Sequence, residues 1–411
     1  MTLIQPFSAL RPTPRSAGRV AAPPYDVLNT QEARAMASAN PLSFLHISKP
    51  EIDFPPGTDP CTPEVYARGA SNLAAMIKSG ALIRDAFAAY YVVRIELDGH
   101  RQTGIGAAAS VAAYNAGRIK KHELTKPDKE EDRIRQIEST GAQTGPVMAV
   151  HRQDAMVAAA IDEATRFEAD FSVTTVDGAT HTLWTLSDPA LQGRITDAFE
   201  NMAAIYIADG HHRSAAAARV AKRRSERLGG DGKASWDRFL LFSFPDREVQ
   251  ILDYNRVVKD LGGLTAAEFL ARLEDDFTVQ AAPAPVRPSR AGEFGLYLDG
   301  GWHRLALKEK PAAIDPVGRL DISQLTAKVL EPLLGIGDVR RDPRIDFIGG
   351  ARGLEGLMER VDGGGWAVAF SLYPTSLADL MDVADGGGVM PPKSTWFEPK
   401  LADGLVSLVL D

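Results

Sequence analysis

The chain has a single cysteine, Cys61, in 411 residues. That excludes an intrachain disulfide framework and any zinc site built from several cysteines, and it fits a reducing compartment. Long apolar runs are also missing, so no segment reads as able to span a bilayer. The opening sixteen residues contain Pro6, Pro12 and Pro14 and no apolar core, unlike a secretory signal. Positive charge is in deficit: 46 Lys and Arg against 54 Asp and Glu leave a net charge of −8. This balance argues against a nucleic-acid-binding surface over the whole molecule, while a local basic pocket remains compatible with it. Tandem repeats and low-complexity tracts are absent. What is left, with 45% hydrophobic and 24% charged residues, has the composition of an ordinary globular protein long enough for two domains. The expectation is a cytoplasmic enzyme without nucleic-acid or membrane partners, with homo-oligomerisation left open.

Local patterns give the element types. Proline-rich breaks at Pro23-Pro24-Tyr25-Asp26, Asn40-Pro41 and Lys49-Pro50-Glu51 frame a short helix over 30–39, capped by Thr30. Thr62-Pro63-Glu64 opens a helix that runs to Lys78. Three hairpins are expected, turning on Asp98-Gly99, Asp177-Gly178 and Asp299-Gly300-Gly301. Helices are expected over 127–138, 187–201, 214–227 and 266–275. Antiparallel hairpins mixed with helices make this α+β, with mixed and antiparallel sheets flanked by helices, rather than a doubly wound parallel sheet. The Pro/Ala stretch 281–289 reads as a linker or long loop. A boundary near 261–263 divides the chain into domains 1–261 and 262–411.

The segment Ile205-Tyr206-Ile207-Ala208-Asp209-Gly210-His211-His212-Arg213 concentrates the chemistry. An apolar strand runs into a polar turn and then into an alanine-rich helix former. The start of a helix has unpaired N–H groups and the positive end of the helix dipole, which together favour an anion. Gly210 allows close backbone approach to a phosphate, and Asp209 supplies a metal ligand or a proton acceptor. The plainer reading makes Asp209 a helix cap and the histidines turn residues. A zinc site fits poorly, since adjacent helical histidines point roughly 100° apart and no H-E-x-x-H spacing occurs.

A second cluster spans 120–133, with Lys121, His122, Glu123, Lys129 and Arg133 as candidate site residues. Thr125 and Asp128 have capping-box-like spacing, Pro127 fits a first helical turn, and Glu131–Arg135 is an i,i+4 pair. A well-capped, ion-paired helix accounts for those features but not for the compact Lys120-Lys121-His122-Glu123 group. Gly104-x-Gly106-x-x-Ala109 resembles a dinucleotide fingerprint but is itself expected to be strand, so the required context is missing. Near the end, 390–400 carries Lys393 and Ser394 in a proline-fixed loop, read as a site-facing or docking tail.

Taken together, these segments resemble the family known as domain of unknown function (DUF) 1015. The resemblance rests on Pro23-Pro24-Tyr25-Asp26-Val27, on Asn40 to His46 with Pro50-Glu51, on 120–133, on 206–213 and on 390–400. More distantly, Asp209-Gly210-His211-His212-Arg213 looks like the phosphate-binding turn of the ParB/sulfiredoxin superfamily, especially its free-serine kinases. That likeness implies a ParB/sulfiredoxin-like nucleotide-binding core in 1–261. Gly210, His211, His212 and Arg213 would then grip phosphates, and Asp209 would serve magnesium or the acceptor hydroxyl. The sulfiredoxin cysteine has no counterpart, and no helix-turn-helix region is visible, which disfavours sulfinic-acid reduction and partition-type DNA binding.

The expectation is therefore phosphoryl transfer from ATP or ADP to a small hydroxylated metabolite, with free L-serine as the favoured acceptor. Lys121, His122, Lys129, Arg133, Lys393 and Ser394 would join the turn in binding the nucleotide. Mg2+ would be held through Asp209 or Glu123, and Asp209, Glu123 or Glu51 would take the acceptor proton. Two rivals are a nucleotide-binding regulatory module without turnover and a metal-dependent hydrolase built on the histidines.

Overall fold

In the computed structural model, residues 2–230, 232–309, 311 and 315–411 are described. The chain forms two compact units, one of Met1–Val249 with Pro399–Asp411 and one of Gln250–Glu398. The expected division at 261/262 lies inside the second unit, after the strand Tyr254–Val258. The last thirteen residues return to the first unit because their backbone pairs there: Leu408–Val409 runs antiparallel to Ala142–Gln143, and Ala22 and Asp403 exchange both backbone bonds.

The first unit is built on a nine-stranded mixed sheet. Its strands run in the order Ile119–Lys120, Ile205–Asp209, Val147–His151, Arg238–Pro245, His100–Ser110, Tyr90–Leu97, Thr180–Leu186 and Phe171–Thr174, with Ile4–Gln5 added on His100–Ser110. Ile205–Asp209 is parallel to Ile119–Lys120 and antiparallel to Val147–His151. Both neighbours of the buried strand are thus fixed before the polar turn begins. The α+β expectation holds in this mixed arrangement. The hairpin at Asp98-Gly99 turns tightly because both residues adopt positive φ, 50° and 80°. The third hairpin repeats this at Asp299 and Gly300, with φ of 47° and 74°. The second pairs Thr174 with Thr180, so its loop is longer than the Asp177-Gly178 pair alone. Gly104 and Gly106 lie within the strand His100–Ser110, as expected; a Cβ at Gly104 would stand 2.7 Å from the Phe244 ring, so packing accounts for this glycine.

Several helix starts differ from expectation. Asn29, not Thr30, caps Thr30–Ala37, in a capping box with Glu32. Pro127–Thr140 has Lys126 at its N-cap and no side-chain cap, because the Thr125 hydroxyl bonds Glu130 instead. His211–Leu228 begins three residues earlier than the pattern suggested, so both histidines lie in its first turn. In the second unit a six-stranded antiparallel sheet runs in the order Phe277–Ala282, Gly301–Leu307, Glu293–Leu298, Val368–Leu372, Tyr254–Val258 and Ile345–Gly349. The first of these strands takes in the beginning of the stretch read as a linker. Among the described residues no helix is long and apolar enough to cross a membrane.

Candidate functional site

The site is assembled where the strand Ile205–Asp209 ends. Gly210 has φ 91° and ψ 29°, a left-handed conformation that admits glycine readily and other residues only with strain. It also passes close to its neighbour, since a Cβ there would meet Val147 Cα at 3.3 Å. The chain therefore turns sharply into an 18-residue helix that no side chain caps. Arg213 and Ser214 N–H groups bond Gly210 O, while the N–H groups of His211 and His212 precede the first intrahelical acceptor.

The two histidines fasten the second cluster to this turn. His211 Nε2 accepts from the His122 backbone N–H at 3.5 Å, and His212 Nε2 accepts from the Lys126 N–H at 3.1 Å. Each ring, when neutral, then carries its proton on Nδ1, and that of His211 lies 3.6 Å from Glu123 Oε2. Burial, with the nearby positive charges of His212 and Lys121, pushes His211 down to about 3. His122 stacks edge-on against His211 at 4.4 Å and is 1% exposed. Burial and His211 drive it well below the usual histidine range, against the Ile207 backbone and Asp209. Burial lowers His212 too, with Glu130 and Asp26 opposing. These are neutral rings that set backbone positions. Because Lys126 is also the N-cap of Pro127–Thr140, His212 brings the uncapped starts of two helices together. Arg219–Glu130 at 3.0 Å and Arg223–Glu131 at 2.9 Å hold the same helices side by side.

Arg213 is 7% exposed and fully engaged at its two Nη atoms: Nη1 donates to Pro146 O at 2.6 Å and Nη2 to Asp26 Oδ2 at 2.9 Å. Asp209 Oδ2 lies 3.8 Å away. Burial alone would lower the guanidinium, but Asp26, Asp209, Tyr25 and Asp403 raise it above the usual arginine range. Tyr25 lies between two cations, Arg133 at 3.8 Å from its ring and Arg213 at 5.5 Å. Arg133 in turn pairs with Asp132 at 2.7 Å. Neither Tyr25 nor Asp403 was among the residues anticipated for the site. Tyr25 stood in a visible proline-fixed motif, whereas Asp403 had no local signal.

The other anticipated residues divide clearly. Lys121 stacks over Tyr114 at 4.6 Å, and Lys129 is exposed on the first turn of its helix. Glu51 is 4% exposed and binds Lys49 at 3.1 Å and the Thr30 hydroxyl at 3.1 Å, with no hydrogen bond or ion pair to 209–213 among the described residues. Lys393 and Ser394 belong to the second unit. There the Lys393 ammonium lies 5.6 Å from the Tyr254 ring, and the Ser394 hydroxyl bonds Pro391 O at 2.6 Å. Among the described residues no three His, Cys, Asp or Glu side chains group so as to hold a metal ion. Asp209 and Glu123, 38% and 35% exposed, are the two carboxylates beside the turn whose oxygens could reach a cation.

A family model described as a protein of unknown function, DUF1015, matches residues 4–323, and the chain belongs to that family. No curated protein matches the chain. Among solved structures it is similar to a free serine kinase variant in complex with AMP, at 15% identity and TM-score 0.38, covering 75% of this chain and 91% of that one. It is also similar to SbnI with C-terminal truncation from Staphylococcus aureus, at 12% identity and TM-score 0.38, covering 72% and 85%. A conserved hypothetical protein from Pyrococcus furiosus gives 14% identity and TM-score 0.33, covering 73% and 93%.

Proposed function

We propose that the protein is a phosphotransferase that moves a phosphoryl group from ATP or ADP to a small hydroxylated metabolite, with free L-serine as the favoured acceptor. The observation that carries this reading is the pair of uncapped helix starts at His211 and Pro127, joined through His212 and Lys126. Two N-termini lying side by side offer backbone donors and helix dipoles to phosphate oxygens. Lys121 and Lys129 add positive charge, while His211, His212 and Arg213 act as positioning residues. Phosphoryl transfer asks chiefly for this combination of placement and charge neutralisation. In the reaction the acceptor oxygen bonds to the terminal phosphorus, the bridging P–O bond breaks toward the nucleotide, and the acceptor proton passes to Asp209 or Glu123. Magnesium, when bound with the nucleotide, would neutralise phosphate charge beside these same carboxylates.

The test is phosphorus NMR of the full chain with magnesium, ATP or ADP, and a panel of hydroxyl metabolites that includes L-serine. Serine-dependent O-phosphoserine that falls at least 100-fold in Asp209→Ala or Glu123→Gln is the expected result (about 2.7 kcal/mol of transition-state stabilisation). Nucleotide binding without turnover of any acceptor would replace this reading with that of a regulatory module.

A further inference from the structure

Below the Gly210 turn the first unit contains a cavity whose wall includes Tyr25, Ser48, Arg133, Gln136, Arg213 and Asp403. It measures about 30 Å³ at water-sized radius, more than the ~10–15 Å³ that one water needs. Four of these side chains are nine-tenths or more buried: Ser48 3%, Gln136 3%, Arg213 7% and Asp403 1% exposed. Each offers at least one buried polar atom that makes no hydrogen bond of good geometry among the described residues, namely Ser48 Oγ, Gln136 Oε1, Arg213 Nε and the carboxylate oxygens of Asp403. Such atoms are ordinarily paired, because an unpaired buried polar atom forfeits its hydration without return. Five around one space call for an occupant.

The chemistry of the wall describes that occupant. The Gln136 oxygen and an ionised Asp403 only accept hydrogen bonds, and the Ser48 hydroxyl is able to accept; Arg213 Nε alone must donate. The Gln136 amide is held in this sense because its nitrogen donates to Ile47 O at 2.6 Å. Charge gives the same answer. Arg213 is paired with Asp26 and Arg133 with Asp132, so Asp403 is a buried carboxyl that feels both guanidiniums but makes no ion pair with either among the described residues. Its position is built in: its N–H bonds Ala22 O at 2.8 Å, and the next residue, Gly404, has φ 88° with a Cβ site 2.6 Å from the Phe44 ring. Desolvation pushes this carboxyl up to about 7, with Asp26 adding to it and Arg213, Arg133 and the Tyr25 backbone N–H acting against it. Water would satisfy the lone pairs and leave the charge unmatched. A primary ammonium offers three donors and one positive charge together.

We propose that this cavity receives the primary ammonium group of the small hydroxylated acceptor, with Asp403, Gln136 and Ser48 as its hydrogen-bond acceptors. The acceptor is thereby an amino alcohol or a hydroxylated amino acid. The inference rests on the phosphotransferase reading for the acceptor's hydroxyl, and on the cavity itself for its amine.

Calorimetric titration of the full chain with L-serine, ethanolamine and D-glycerate tests it, because glycerate replaces the amine of serine by a hydroxyl. L-serine and ethanolamine bind at least 10-fold more tightly than glycerate. Asp403→Asn weakens L-serine binding at least 10-fold, and Ser48→Ala, which removes a hydroxyl with no protein partner, weakens it about 3-fold; nucleotide affinity reports that both variants are folded. Equal binding of serine and glycerate, no binding of either amine, or an unchanged serine affinity in both folded variants overturns the inference. The two proposals fail differently. Amine-selective binding without phosphoryl transfer sinks the phosphotransferase and keeps the ammonium site. Transfer to glycerate as fast as to serine sinks the ammonium site and keeps the phosphotransferase.

Discussion

Each unit buries an arginine, and the two are stabilised in opposite ways. Arg213 in the first unit faces Asp26 at 2.9 Å and Asp209 at 3.8 Å, and these carboxylates outweigh its burial and hold it firmly charged. Arg256 in the second unit is 1% exposed and bonds only carbonyls: Tyr254 O, Pro392 O at 3.3 Å and Lys393 O at 2.8 Å. Aromatic faces of Phe347 and Tyr254 lie 5.0 and 5.8 Å from it. With no carboxylate to oppose desolvation, its side chain is pushed down to about 9. Arg256 is a clamp that ties the loop at 392–393 to the strand Tyr254–Val258. Arg213 is poised over a polar cavity with titratable neighbours. Burial of the same side chain serves architecture in one place and lines a candidate site in the other, and the partners decide which.

The largest expected effect breaks the second half of this comparison. Arg256→Ala leaves three carbonyls unpaired and a void among aromatic rings, and should cost the second unit about 4 kcal/mol in denaturant unfolding. A cost below about 1 kcal/mol would mean that the carbonyl clamp contributes little. Next comes the pH response, to which a buried carboxyl in each unit contributes, Asp403 in the first and Asp321 in the second, both pushed up to about 7 by desolvation. Burial pushes Asp403 up to about 7 in the folded chain, against about 3.9 when unfolded. Between those values the native state holds the extra proton, so stability falls as pH rises through this window, by no more than about 1.4 kcal/mol per pH unit. Below the unfolded value the contribution is fully present. Asp403→Asn should reduce that slope, leaving the part due to Asp321, in a series of unfolding curves from pH 4 to 7. His211 works the other way: lowered to about 3, it makes the native state resist a proton that the unfolded chain accepts, so stability falls as pH drops below about 6.5. The double variant Asp403→Asn with His211→Gln separates the two signs. The smallest effect sharpens the first half. Gly210→Ala at φ 91° should cost about 1–2 kcal/mol in stability. It should also weaken nucleotide binding more than 10-fold, because the turn that aims the helix start is displaced. Unchanged nucleotide affinity in a folded Gly210→Ala protein would detach the phosphate site from this turn.

Much of the local structure was legible because it is set by neighbours in sequence. Positive-φ pairs such as Asp98-Gly99 and Asp299-Gly300 declare their hairpins, and the apolar run before Asp209 declares a buried strand. Helix starts were read less well, since capping depends on which side chain wins a local competition. Thr125 went to Glu130, and Asn29 displaced Thr30. The site was half legible. Asp209 to Arg213 stood out, and their link to 122–126 emerged only when the parallel pairing of Ile119–Lys120 with Ile205–Asp209 set the two segments side by side. That burial lowers both His211 and His212 could not be read from the sequence for the same reason, as burial is not visible in a dipeptide.

What the sequence determined by itself was the menu: a turn only glycine makes easily, an anion-favouring helix start, and enough carboxylates and cations for phosphate chemistry. What the tertiary structure decided was the pairing. It buried Arg213 against Asp26, turned His211 and His212 into acceptors for backbone N–H groups, and carried Asp403 across nearly the whole chain to face Ser48 and Gln136. Residue type and local spacing fix backbone preference and available charge. Desolvation and partnership, which set what a buried polar group does, exist only once distant segments have met.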